Sequence, residues 1–193
     1  MPLAEIREEG VVNWIALRAP LDEGSAVMLR AGDSVLFSGT LYVARDKAHE
    51  RITSMIEEGA NLPFDPRGQV IYFMGPSPAP PGKPIGSAGP TSSYRMDPFA
   101  EAMCRAGVRG FIGKGRRSPE AREAMRAHGA VYFASFGGAG AYLSKRIRSS
   151  MVIAFDDLGP EAMLKLEVAD FPAIVINDIH GGDLYEDALR ERG

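Results

Sequence analysis

The 193-residue sequence has one cysteine, three histidines and no apolar run approaching the ~18 residues that span a bilayer. A lone thiol, Cys104, closes no internal disulfide and ligates no metal–sulfur cluster by itself. A basic surplus is also missing. There are 22 Lys and Arg against 25 Asp and Glu, a net charge of −3, so no global positive field holds nucleic acid or an anionic membrane. The stretch Met1–Glu9 shows no basic segment followed by an apolar one, so no signal peptide is read there and a reducing cytoplasm is the expected location. What is present is ordinary for a folded protein: 45% apolar and 24% charged residues, which exclude wholesale disorder. The length suits one domain, taken as 1–193.

The first part reads as β-rich. Apolar runs at 11–17, 27–29, 35–37 and 40–44 are punctuated by Gly24, Gly32 and Gly39, with no helical pattern between them. An antiparallel or barrel-like arrangement is expected. The character changes at Asp46, which can cap a helix with Ala48, Ile52, Met55 and Ile56 on one face and Gly59 at its end. The run 69–74 reads as a buried strand. In the stretch 75–90, ten of sixteen residues are Gly or Pro, which excludes helix and interior strand.

Beyond it the chain alternates. Helices are expected from Asp97-Pro98 to Gly107, from Ser118-Pro119 to Gly129, over 141–147, 161–166 and 183–192. Short apolar strands fall at 108–112, 131–136, 151–155 and 173–176. Helices between short apolar runs imply βα crossovers, hence an α/β fold with a largely parallel sheet.

Two glycine clusters invite a nucleotide reading. Gly137-Gly138-Ala139-Gly140 follows a strand and precedes a helix, with Asp156 and Asp157 about 20 residues on, so a Rossmann-like dinucleotide-binding module is the alternative of a different class. The third glycine of that fingerprint is replaced by Leu143, and a tight turn is the preferred reading. Gly110–Gly115 lacks the Walker spacing. The histidines His49, His128 and His180 have no metal-like spacing. His49 lies one turn after Asp46, within reach of a pair with it, and a local role at the helix start is preferred to a metal site.

Three cations stand at strand ends or beside glycine-rich turns: Arg45, Arg95 and Lys114. Small neighbours let a ligand approach backbone N–H groups, arginine matches a carboxylate with a planar fork, and lysine supplies a point charge. The residues alone point to a site for a small polyanion, a class that includes dicarboxylates. Thr91 is four residues before Arg95 and shares its side in either a helix or a strand.

The segments Ser38-Gly39 to Arg45-Asp46-Lys47-Ala48-His49, Tyr72-Phe73-Met74-Gly75-Pro76, Gly86-Ser87-Ala88-Gly89-Pro90-Thr91-Ser92-Ser93-Tyr94-Arg95-Met96-Asp97 and Ile112-Gly113-Lys114-Gly115, in that order, resemble the beta subunit of class I fumarate hydratase. The equivalent is the C-terminal domain of the single-chain enzymes, and L-tartrate dehydratase is the close relative and alternative. The wording around Gly-Pro-Thr favours fumarase. Ser92 departs from the second threonine usual there.

The resemblance implies the swivelling β/β/α domain of iron–sulfur hydro-lyases. It implies an alpha-subunit partner that binds a [4Fe-4S] cluster, with no metal ligand on this chain, and an assembly of two alpha and two beta chains. The implied reaction is reversible hydration of fumarate to L-malate. Thr91 takes the position of the catalytic base, and Arg45, Arg95 and Lys114 bind the substrate carboxylates. Ser87, Gly89 and Ser92 contribute loop hydrogen bonds, while Asp46 and His49 orient Arg45 and the helix start. The loop 75–90 is then shaped rather than a linker.

Overall fold

A computed structural model describes residues 6–9 and 12–190. Of the expectations above, those on Met1–Glu5, Val11 and the last helical residues from Glu191 lie outside the described residues.

Five strands run parallel in succession: β2 (Val12–Ala19), β3 (Ser34–Val43), β4 (Val70–Tyr72), β5 (Gly110–Gly113) and β6 (Val131–Ala134). Three run against their neighbours. β1 (Ile6–Glu9) pairs with β2, and β7 (Ile147–Ala154) with β8 (Met163–Asn177). The fifteen-residue β8 also pairs antiparallel with β3 and with β6. The ring β3–β4–β5–β6–β8 therefore closes on itself, a five-stranded barrel from which β2 and β1 extend on one side and β7 on the other. Closure leaves these five strands without an open edge at the pairing.

Alternation along the strands separates two buried layers. Val35, Phe37, Leu41, Val70, Tyr72, Ile112, Val131, Phe133, Phe171 and Val175 form one cluster, the barrel interior. Ile71, Phe73, Phe111 and Tyr132, their immediate neighbours, join a second cluster with Ile52, Met103, Cys104 and Met125 from the helices. Those helices are α2 (Asp46–Glu57), α3 (Ala100–Arg105) and α4 (Pro119–Ala127). α4 has the expected cap: Ser118 Oγ accepts the Ala121 N–H at 3.2 Å.

Several expectations are corrected. A helix does interrupt the β-rich start: α1 (Glu23–Met28) includes Val27 and Met28, with Asp22 Oδ1 accepting the Ser25 N–H at 2.7 Å. β2 and β3 are consequently parallel, joined by a crossover. The sheet as a whole is mixed, because β8 closes it antiparallel. The segment 161–166 is not a helix. A 3₁₀ turn spans Asp156–Glu161 and β8 starts at Met163, its residues alternating buried and half-buried from Leu164 to Val168. The strand expected at 173–176 is the end of that same β8. α5 is only Gly140–Ser144, and α6 is Leu184–Arg190. In β7, Met151 and Val152 are exposed rather than core. Asp97 caps no helix. It lies inside a 3₁₀ stretch, Ser93–Phe99, and its carboxylate serves Arg117 and the Ser118 N–H instead.

Candidate active site

Parallel strands share their C-terminal ends, and in open or closed α/β sheets that end carries ligand sites. Arg45 follows β3, Gly75 follows β4, Lys114 follows β5 and Phe136–Gly138 follows β6. The segment 90–92 is laid between the ends of β4 and β5. Pro90 bridges to Met74, the Thr91 N–H donates to the Phe73 carbonyl at 2.8 Å, and Ser92 pairs with Lys114. One rim thus gathers Arg45, Thr91, Ser92 and Lys114. Arg95 joins it from the 3₁₀ turn by an ion pair with Asp46.

Each cation has a local reason for its place. Arg45 stands before the first turn of α2, and its guanidinium lies across Gly75, where a Cβ would come within 2.4 Å of Nη1. Glu161, from the turn before β8, reaches the same spot: Oε1 is 3.5 Å from Arg45 Nη2 and Oε2 accepts the Lys47 N–H at 3.1 Å. Glu161 thereby satisfies an N-terminal donor of α2 from 114 residues away. The expected cap, Asp46, is instead the first helical residue and holds Arg95. Lys114 is exposed, with its backbone fixed on both sides: its N–H donates to Ser93 Oγ at 3.0 Å and its carbonyl accepts the Ser93 N–H at 3.0 Å. A Cβ on Gly113 would stand 1.9 Å from that Ser93 Oγ, so the close approach requires glycine there.

The loop 75–90 is held at defined points. Ser87 N–H donates to Ser77 Oγ at 2.7 Å, Ala88 N–H to the Gly140 carbonyl at 3.1 Å, and the buried Tyr72 hydroxyl to the Ala88 carbonyl at 2.5 Å. Burial keeps the Tyr72 phenol far above its ordinary range, so it stays a donor. Gly140 is where this loop meets the β6–α5 turn: a Cβ there would fall 2.2 Å from Ser87 Oγ and 3.0 Å from the Gly89 nitrogen. The cluster Gly137–Gly140 is therefore the seat of the 87–89 loop. It opens no dinucleotide unit, because the strand after α5, β7, pairs antiparallel with β8.

His49 contacts Arg45, the residue it is expected to orient, by a different route. It does not pair with Asp46. The ring is buried against Phe73 and Phe99, and Nδ1 lies 3.0 Å from the Arg45 carbonyl. A carbonyl only accepts, so Nδ1 carries the proton. Burial holds the imidazole pKa down at about 4. His49 thus anchors the backbone of Arg45 from beneath.

Reading from the sequence missed Glu161, Ser93, Tyr132, Asp97 and Arg117 as supports of the rim. Nothing in their spacing marks them, since each acts across 20 or more residues. Cys104 is buried, and burial pushes its thiol up to about 12. Among the described residues no group of three or more His, Cys, Asp or Glu could hold a metal ion. The one cysteine, buried and held as a thiol, gives the described residues no set of thiolate ligands for an iron–sulfur cluster.

Fold and rim define a class: a mixed α/β barrel with cations and a hydroxyl-bearing residue at the C-terminal ends of its parallel strands. Residues 2–188 match the family model described as Fumarase C-terminus. Fumarate hydratase 2 of Leishmania major is 37% identical over 179 residues, which cover 91% of this chain and 32% of that protein. The anaerobic class I fumarate hydratase of Escherichia coli (strain K12) is 34% identical over 194 residues, covering 97% and 35%. A Methanocaldococcus jannaschii protein named "Putative L(+)-tartrate dehydratase subunit beta" is 37% identical over 173 residues, covering 84% and 87%. The chain belongs to the Fumarase C-terminus family. It spans about a third of the length of the fumarate hydratases it matches.

Proposed function

We propose that this chain is the beta-type component of a class I fumarate hydratase, the swivelling β/β/α domain of an iron–sulfur hydro-lyase. It works in the cytoplasm with an alpha-type companion, in an assembly of two alpha and two beta chains. What supports the reading is the convergence of Arg45, Thr91, Arg95 and Lys114, drawn from four segments, on one rim. The [4Fe-4S] cluster belongs to the companion in this reading, as do the general acid and the carboxylate that activates Thr91. Exposed Tyr94 and Phe136 beside the rim suit a face that the companion covers.

In the dehydration direction the carbon–hydrogen bond next to a malate carboxylate breaks. The electron pair becomes the new double bond, passing through a state in which charge spreads into that carboxylate. Arg45, Arg95 and Lys114 bind the two carboxylates, and a donor already aimed at developing charge contributes about 3–4 kcal/mol. Asp46 keeps the Arg95 fork turned toward the rim, and Glu161 does the same for Arg45. The Thr91 oxygen takes the proton. An unaided threonine hydroxyl is too weak a base, so it needs the companion's carboxylate to draw off its own proton first. The hydroxyl on the other carbon leaves as water with a proton from the companion. Ser87, Gly89 and Ser92 shape the wall around the substrate.

The test is reconstitution with a cluster-loaded companion under anaerobic conditions. Malate and fumarate interconvert, and Thr91→Ala lowers kcat by about 10²–10⁴-fold while assembly is unchanged. Near-normal turnover in Thr91→Ala removes the base assignment, and turnover by this chain alone removes the division of labour. A second reading, a tartrate dehydratase beta subunit, is favoured by one observation: the relative of that name has nearly this chain's length. A higher kcat/KM for tartrate than for malate in the same assembly decides for it.

A further inference from the structure

Arg117 lies under the rim, and its side chain has no exposed surface. Its guanidinium carbon stands 5.3 Å from the Phe73 ring centroid, 5.2 Å from that of Tyr132 and 5.6 Å from that of Phe111. Nε donates to Asp97, while Nη1 and Nη2 meet no hydrogen-bonding oxygen or nitrogen. The aromatic faces stand in for acceptors there. Such a buried ion pair is weak ground for stability, because desolvation offsets the attraction and an apolar pair of the same volume often serves as well.

What the neighbours of Arg117 have in common is the rim. Asp97 is two residues after Arg95 in the same 3₁₀ turn. The Phe73 carbonyl accepts the Thr91 N–H at 2.8 Å. The Tyr132 hydroxyl lies 2.8 Å from Ser93 Oγ and donates to the Gly115 carbonyl at 2.8 Å, which brackets Lys114. His49 stands on the Phe73 ring, centroids 5.3 Å apart, and holds the Arg45 carbonyl.

We propose that Arg117 is a positioning residue that sets the register of all four rim side chains. It reaches Arg95 through Asp97, Thr91 through Phe73, Lys114 through Tyr132, and Arg45 through Phe73 and His49. Being fully buried, it touches no substrate. The inference rests on the reading of the rim as a dicarboxylate clamp.

The test replaces the pair without leaving an orphan charge: Arg117→Met with Asp97→Asn, the latter keeping an oxygen for the Ser118 N–H. The melting temperature stays within about 5 °C of the unsubstituted chain. In the reconstituted enzyme KM for malate rises at least tenfold, and adding Arg95→Ala raises it by less than the product of the two separate rises, because part of the effect of Arg117 runs through Arg95. In the chain by itself, amide exchange at Thr91, Ser93 and Lys114 quickens at least tenfold. An unchanged KM with unchanged exchange overturns the proposal. If the double variant fails to fold, Arg117→Lys decides: it keeps the charge but cannot lie flat against three rings, so the same KM rise supports the role and an unchanged KM refutes it. Arg95→Ala and Lys114→Ala serve as controls. If neither alters KM, the clamp reading falls, while the exchange measurement still decides whether Arg117 orders the rim.

Discussion

His49 shows how far a residue's role depends on what surrounds it. Spacing places it one turn after Asp46, which suggests a surface pair, yet the ring turns inward between Phe73 and Phe99. Its folded form takes a proton only near pH 4, because burial disfavours the charge, while an unfolded histidine does so near pH 6.5. Between those values the unfolded chain binds more protons. Stability is therefore complete above pH 6.5 and drains as pH falls toward 4, by about 3 kcal/mol in all. Carboxylates held low, such as Asp65 beside Arg67 and Asp157 beside Arg51, lose their contribution only below about pH 4. Urea midpoints at pH 7 and pH 4.5 isolate the histidine: the unsubstituted chain loses stability between them and His49→Asn stays nearly flat. Equal losses in both chains would dismiss the buried ring as the cause. Arg45, Arg95 and Lys114 are legible as candidates, because a cation at a strand end or beside a glycine-rich turn is a pattern. Arg117 is not, because an arginine next to Arg116 carries no mark of burial.

At the scale of elements, two glycine-rich segments explain each other. The loop 86–90 and the turn 137–140 touch through Gly140, and neither could close on the other with a larger residue there. Local sequence shows both as irregular, but it cannot show that they meet. The same gap accounts for the misread elements. Glu161–Leu166 is rich in good helix formers, and the strand conformation of its part from Met163 comes from pairing with β3 and β7. The helix α1 did leave a signal, Asp22 as a capping residue, which the glycines around it obscured. Gly140→Ala tests the contact. The added methyl displaces Ser87, the loop loses the Ala88–Gly140 hydrogen bond, and on the proposed function kcat/KM of the reconstituted assembly falls at least tenfold. The fold itself loses about 1–3 kcal/mol, the usual cost of overpacking. Full activity in the Gly140→Ala variant would mean that the loop's position does not matter to the reaction.

For the whole molecule, the consequence of closure is that one interior supports every end of the rim. Alternating apolar strands forecast a sheet, but only long-range pairing, β8 against β3 and β6, turns it into a barrel. That pairing joins residues more than 100 positions apart in the case of β3. The centre is aromatic: Phe37 meets Phe133 edge-on at 4.9 Å and Tyr72 meets Phe171 at 5.2 Å, all four fully buried. Tyr72 also carries the hydroxyl that pins Ala88, so the packing of the interior continues into the loop 75–90. Removing one ring should therefore weaken the molecule as a unit rather than fray one strand. Phe133→Ala leaves a cavity that the closed ring of strands cannot easily collapse, at a cost of about 3–5 kcal/mol. Because all five strands share that cavity, urea unfolding stays a single transition with an unchanged slope and a lower midpoint, by circular dichroism and aromatic fluorescence alike. Two separated transitions, or a loss below about 1 kcal/mol, would show that the strands do not depend on a common interior.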